Sequence, residues 1–452
     1  MKTLFQSKLV RKVITLFLGL TAGAGAVAGQ LRVPADHPTI QAAVDAAGID
    51  DTIHIAPGIH TGQVQIISKR LTLIGQPGAI LRATGELPVP DGPGEISFPI
   101  LYIRSSEVTV RGLVFEGERL AGLYEGPGEL RGLLLRGSSA TVEHCSFYGF
   151  REGTPGNNED GFALTASAPL EGLVNVRVSH CTFADNLLSI LLIGYPGSRG
   201  LNFVIENNTI IGLGPIDTGS PPVGIVVREG VGGRIVGNTI SGYSYTGTAA
   251  DIPIAFGIEA SHQASYPEFG TLEHLEIAGN SLRDNQVHVS LVKGDGSVVK
   301  NNRVQGSAPG IVPVGLAVSG AGLLLANNQF EDMPEAIRLF GDDPLFGEVV
   351  GVAESASVTS NRFCNVSVPI NRQRLATAIE TGTSTNACSS PLLVIRSASL
   401  ISWPGEEGVW TVESAPSVDG PWTALDATPF LQHGAYNVAV PNEDARRFFR
   451  LR

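Results

Sequence analysis

The sequence predicts an all-β chain wound as a single-stranded, right-handed parallel β-helix, with a helical cap at its N-terminal end and a small C-terminal antiparallel β-sandwich module. Three observations predict this. A six-residue pattern built around Asn or Cys recurs through the middle of the chain. The apolar residues alternate with a period of two rather than 3.6. Glycine (55) and proline (28) are abundant while aromatics make up only 6% of 452 residues, a balance that suits many short strands joined by tight turns.

The recurring pattern reads VEHCSF (142–147), VSHCTF (178–183), IENNTI (205–210), IVGNTI (235–240), IAGNSL (277–282), VKNNRV (299–304), LANNQF (325–330) and VTSNRF (358–363). Its fourth position holds Cys145, Cys181, Asn208, Asn238, Asn280, Asn302, Asn328 and Asn361. A second apolar segment precedes most copies, as in GLLLRG (132–137), GIVVRE (224–229) and GLAVSG (315–320). Units of this size cannot bury an apolar face alone, so each must stack on its neighbours. Equivalent strands then pair about 4.8 Å apart, with equivalent residues one above the other. Asparagines in one such column satisfy each other's buried amides, and Asn also tolerates the left-handed backbone of a corner. Coils as short as those here are too small for the four-stranded blades of a propeller.

Cys145 and Cys181 fall in the asparagine column. Two readings stand: stacked free thiols, or a bridge between adjacent coils, for which parallel in-register side chains have poor torsions. Cys364 and Cys388 lie close together near the end of the repeats and are the expected disulfide. No cysteine pair has zinc-ligand spacing.

The two ends differ from the body. Thr39 to Ala47 is a short amphipathic helix with Ile40, Ala43, Val44 and Ala47 on one face, suited to covering the open end of the stack. Strands over Thr52–Ala56, Gln63–Ile67 and Leu71–Ile74 follow, with a turn at Pro57-Gly58. The repeat stops near Pro391, and all three tryptophans (Trp403, Trp410 and Trp422) come after it. Alternation in 409–414, 436–440 and 448–452 predicts antiparallel strands. The tryptophans are read either as the core of this module or as a face that stacks on sugar rings. The resulting division is a signal peptide over 1–28, the β-helix over 29–390 and the module over 391–452.

The leader assignment rests on Lys2, Lys8, Arg11 and Lys12, an apolar run from Val13 to Leu20, and the small-x-small site Ala26-Val27-Ala28. It predicts a secreted, extracellular or periplasmic protein. The apolar run is too short for a stable bilayer span, and no later segment is long and apolar enough. A net charge of −12 argues against nucleic acid or an anionic membrane as partner.

Residues 33–75 also resemble a known family. The T-I-Q-x-A-V-D-x-A helix, the I-x-I-x-P-G turn and the strand ending in L-x-G are similar to the N-terminal cap of pectin methylesterases and related pectin-lyase-like proteins. The resemblance is close over about forty residues and looser over the repeats. It implies the β-helix fold, which hosts esterases, lyases, hydrolases, epimerases and inert adhesins. The families' catalytic motifs are not matched. The D-F-I-F-G and G-R-P-W motifs of the esterases are absent, as is the W-x-D-H motif of pectate lyases. Of the polygalacturonase set, only Asn158-Glu159-Asp160-Gly161 corresponds, which nominates Asp160 as a binding residue. No cofactor is expected; Ca²⁺ is implied by fold analogy only, and no metal ligands are nominated.

Stacking nominates a site from the residues themselves. Phe162, Ile190, Ile225, Ile258, Val287, Leu316 and Ile337 are taken as one inward column. The next, outward position then holds Ala163, Leu191, Val226, Glu259, His288, Ala317 and Arg338. Two residues on lie Thr165, Ile193, Arg228, Ser261, Ser290, Ser319 and Phe340. Arg228, Glu259, Ser261, His288 and Ser290 thus share one exterior strip, with Arg338 further along. Glu259 is the candidate general acid or base, His288 its partner and Arg228 a carboxylate clamp. Ser261, Ser290 and Arg338 are candidate substrate-binding residues. Polar outward positions are also what an ordinary solvated sheet face displays. Loops at 151–160, 213–223, 243–256 and 263–273 flank the strip, and Tyr245 and Tyr266 are expected in its walls. The expectation is a monomer that recognises, and in one reading cleaves, a polysaccharide or cell-surface glycan as a lyase or hydrolase. A non-catalytic adhesive or structural scaffold is the other reading.

Overall fold

The computed structural model describes residues 28–90, 97–121, 129–151, 161–341 (interrupted at 170, 195–199, 218, 229–230, 249–252, 262–271 and 273), 351–385 and separate strands between 399 and 451. The leader, Asp160, Tyr266 and Cys388 lie outside the described residues.

The chain winds through three parallel ladders. The first has thirteen strands, from Gln30–Val33 and Asp51–Ile55 to Ala356–Thr359 and Ala378–Thr381. The second starts at Gly58–Thr61 and Ala79–Arg82, and the third at Val64–Ile67 and Ser97–Arg104. These two form one twenty-stranded sheet, because Gln329–Leu339 and Arg362–Arg372 run through the corner and belong to both. Every coil-to-coil pairing in the three ladders is parallel. All three expected N-terminal strands begin and end within a residue of the expected bounds. The strand Gly58–Thr61 replaces part of the expected turn.

Register follows the repeat. Val142 pairs with Val178, Val178 with Ile205, Ile205 with Ile235, and Ile235 with Ile277, all fully buried. On the second ladder Phe115, Phe147 and Phe183 stack face to face, their centroids 4.5 and 4.8 Å apart. Each such ring removed from water contributes about 1.5–3 kcal/mol.

The corner between the first and second ladders is made by the residue before the Asn or Cys. His144, His180, Asn207, Gly237, Gly279, Asn301, Asn327 and Ser360 have φ between 53° and 69°. The left-handed conformation therefore falls one position earlier than expected. It turns the backbone so that the following side chain enters the stack. There Asn238 Oδ1 accepts from the Asn208 backbone N–H and from Asn208 Nδ2, both at 2.9 Å. The same pair of bonds links Asn238 to Asn280, Asn280 to Asn302, Asn302 to Asn328 and Asn328 to Asn361, at 2.9–3.1 Å. The second amide hydrogen of each goes to a strand carbonyl of the preceding coil, as from Asn280 to Ile235 at 2.9 Å. The amides are thus satisfied without water.

Cys145 and Cys181 extend the column as free, buried thiols. Cys181 Sγ takes the place of an amide oxygen, accepting from the Cys145 N–H at 3.4 Å. Burial and the neighbouring thiol push the Cys181 thiol up, so it stays protonated. Cys364 is disulfide-bonded.

The cap helix spans Ile40–Ala46 and buries Ile40, Ala43 and Val44. Thr39 is its N-cap, its hydroxyl accepting from the Ala42 N–H at 3.1 Å. At the other end Lys69 Nζ donates to the carbonyls of Val44 (2.7 Å) and Ala47 (2.9 Å), so a cation from the second coil closes the helix C-terminus. The C-terminal strands pair differently, in two antiparallel three-stranded sheets. Ser399–Pro404, Ala435–Val440 and Phe430–Gln432 form one. Val412–Ala415, Thr423–Ala424 and Phe448–Leu451 form the other.

Candidate functional site

The third ladder carries the candidate strip, and its register revises the sequence alignment. Leu164, Ile190, Ile225, Ile258, Val289, Leu316 and Ile337 form the inward column. Phe162 and Val287 therefore sit two positions from where the sequence alignment put them. Just before this column lies a corner position filled by Ala163, Ser189, Gly224, Gly257, His288 and Gly315 in successive coils. It is tight: a Cβ on Gly224 meets the Gly257 carbonyl at 2.4 Å, and one on Gly315 the Ala336 carbonyl at 2.5 Å.

His288 is therefore not on the exterior strip. It is wholly buried at this corner, with Nε2 2.8 Å from the Gly306 carbonyl and Nδ1 3.2 Å from Asn285 Nδ2. A carbonyl accepts only, so Nε2 carries the proton and Nδ1 accepts from the amide. Burial pushes its pKa down to about 4, the bond to Gly306 opposing that shift, so the ring is neutral near pH 7. It is a packed corner side chain and cannot exchange protons with Glu259. Tyr245 is likewise buried in the core, its hydroxyl donating to the Gly219 carbonyl at 2.9 Å, and is not a groove wall.

The structure does bring Arg228, Glu259 and Ser261 together. Glu259 follows Val226 in one outward column, and Ser290 rather than His288 follows Glu259. Arg228 and Ser261 lie in the next outward column. The guanidinium grips the carboxylate through both nitrogens, NH1 to Oε1 at 2.5 Å and NH2 to Oε2 at 3.3 Å. Ser261 Oγ donates to Glu259 Oε1 at 2.9 Å and contacts Arg228 NH1 as well. The pair is partly withdrawn from water, with side chains 24% and 15% exposed. Arg338, two coils beyond Ser290 in the same column, is held by Glu335 through two bonds of 2.7 Å. The sequence alignment did not include Glu335. Its position three residues before Arg338 is the signal that finds it.

The surroundings are less polar than a solvated sheet face. Outward Val226, Ser290 and Ala317 are each under 8% exposed. Ile254 and Val312, from the segments leading into two strands, pack on the outside against Val287, Val314, Val292 and Phe340. The strip is thus a charged and hydroxyl-bearing centre set in apolar walls. A second polar cluster lies in earlier coils of the same face. There Arg131 stacks on Phe162, 4.5 Å from the ring centroid, and is bound by Glu129, Ser97 and Thr165. Among the described residues no group of three or more His, Cys, Asp or Glu side chains is placed to hold a metal ion. The Ca²⁺ implied by analogy therefore has no described ligand set.

Three parallel ladders, one strand of each per coil, define a single-stranded parallel β-helix protein. The family model for the right-handed beta helix region matches residues 100–330, just over half of the sequence, and the chain belongs to that family. A search of curated proteins by sequence finds no match. Among solved structures, the chain is similar to the A-module of the mannuronan C-5 epimerase AlgE6 of Azotobacter vinelandii. That match has 15% identity and a TM-score of 0.45, covering 76% of this chain and 93% of that one. The tailspike protein of Escherichia coli bacteriophage HK620 in complex with a pentasaccharide matches at 12% identity and a TM-score of 0.46, over 76% and 60% of the two chains. DFA-IIIase of Arthrobacter chlorophenolicus A6, in its C387A form, matches at 13% and 0.44, over 73% and 76%.

Proposed function

We propose that this protein is exported and recognises a polysaccharide along the outer face of the third ladder, centred on Arg228, Glu259 and Ser261. One observation carries the reading: a bidentate Arg–Glu pair with a bridging hydroxyl, partly dehydrated and set between apolar walls on a rigid sheet. Sugar rings present apolar C–H faces and a rim of hydroxyls. Apolar walls take the faces, while the carboxylate and guanidinium accept from and donate to the rim. Strands about 4.8 Å apart repeat this surface along the coil axis, so it suits a chain better than a single sugar.

Recognition without cleavage fits the geometry better. His288 is sealed in the corner, and the carboxylate oxygens of Glu259 are engaged by Arg228 and Ser261. Export rests on the basic and apolar segments of the leader, with cleavage after Ala28. Among the described residues no helix is long and apolar enough to cross a membrane.

The test is a panel of neutral and uronic-acid polysaccharides, reading both retained protein and released reducing ends. The expected outcome is retention on one class, lost in Arg228→Ala and weakened in Glu259→Gln, without release. No retention on any polysaccharide would remove the proposal. Release abolished by Glu259→Gln would instead make Glu259 catalytic.

A further inference from the structure

The outer face of the second ladder changes character along the stack. On its strands Phe115, Phe147, Phe183 and Ile240 point into the core, so the residues beside them point outward. In the later coils those outward positions are polar, and Thr239, Ser281 and Arg362 are exposed. In the earlier coils they are Val114, Tyr148 and Ala184, which form their own cluster outside the core, with Ile80 and Ile211 packed against it. Each of the three is under 5% exposed, and Ser146 beside them is 2% exposed. An apolar side chain on the outside of a β-helix loses its exposure only if another part of the protein lies over it.

The C-terminal module reaches this face. The backbone of its strand Phe430–Gln432 runs within 8 Å of Ser146–Tyr148. We infer that the module docks in cis on the second ladder, with Val114, Tyr148 and Ala184 as its seat. Glu116 is the register partner of Tyr148 in this seat. Its side chain is 3% exposed and paired with Arg82 at 2.6 Å, so a partly buried ion pair stands beside the apolar seat. The inference is independent of the glycan reading, since it concerns a different face of the helix.

The test uses the full chain with a site-specific protease sequence inserted after Ser390. The four cysteines all precede this point, so the released segment has no covalent tie to the rest. After cleavage the two pieces of the otherwise unaltered chain are expected to co-elute on size exclusion. Tyr148→Asp and, separately, Ala184→Arg are expected to release the C-terminal piece into its own peak. Thr239→Asp, outward on the same ladder but exposed, is expected to leave it bound. Separation of the unsubstituted pieces, or retention in both Tyr148→Asp and Ala184→Arg, would overturn the inference.

Discussion

Asn280→Ala removes one rung from the middle of the asparagine column, and the hydrogen bonds it severs set the size of the effect. Asn280 Oδ1 is the partner of the Asn238 backbone N–H (2.9 Å) and of one Asn238 amide hydrogen (3.1 Å). Asn280 Nδ2 serves the Ile235 carbonyl and Asn302 Oδ1, both at 2.9 Å. Asn302 Oδ1 keeps the Asn280 backbone donor, and the Asn238 amide keeps its bond to the Ile205 carbonyl. The Asn238 N–H keeps nothing. One orphaned buried donor costs about 1–3 kcal/mol, and each of the three other lost bonds about 1, giving roughly 4–6 kcal/mol in all. Asn280→Cys is expected to cost about half as much, because sulfur accepts from a backbone N–H in this column, as Cys181 does for Cys145. A solenoid need not unfold in one step, so the assay pairs urea denaturation with hydrogen exchange at the Asn238 amide. Exchange there should speed up strongly in Asn280→Ala and partly recover in Asn280→Cys. A loss below about 1 kcal/mol with unchanged exchange at Asn238 would show that these bonds do not hold the column together.

Two further predictions follow from buried titratable groups. His288 is held neutral down to about pH 4 in the folded chain but takes up a proton near 6.5 when unfolded. Stability should therefore be complete above pH 6.5 and drain away as pH falls toward 4, by about 3 kcal/mol over the window. Urea midpoints at pH 7 and pH 4.5 should lie closer together in His288→Gln than in the unsubstituted chain; an equal spacing would contradict the burial. Thiol titration should find Cys145 and Cys181 unreactive in the folded protein and reactive after unfolding without reductant, with Cys364 unreactive in both. No thiol released on unfolding would show instead that Cys145 and Cys181 are bridged.

Most of the winding was legible in the sequence, because the signal repeats. A β-branched or aliphatic residue three places before Asn or Cys marks a core strand each time it occurs, from Val142 to Val358. Thr39 and the Ile40, Ala43, Val44 face mark the cap with equal clarity. The third ladder was harder to read. At its corner two successive residues, such as His288 and Val289, both leave the outer face, which breaks the period of two. Val287 is apolar because it packs in a second apolar cluster with Ile254, Val312 and Phe340 outside the core, so by sequence it passes for a core residue. Counting from Val287 placed His288 beside Glu259 and left Ser290 one column away. Arg228, Glu259 and Ser261 came out together because their coils share one corner residue, glycine at 224 and 257. Tyr245 reads as a loop tyrosine because nothing local reveals that the Gln286 side chain, 41 residues on, draws its backbone inside.

The winding sets residues a full coil apart in sequence side by side. Thr239 and Ser281 are register partners on the outside of the second ladder, 42 positions apart, and both are exposed. Spin labels on the double variant Thr239→Cys/Ser281→Cys test this directly, since Cys145 and Cys181 are buried and Cys364 is bridged. Strong dipolar broadening is expected from backbones about 4.8 Å apart. Spectra equal to the sum of the two single variants would contradict the winding.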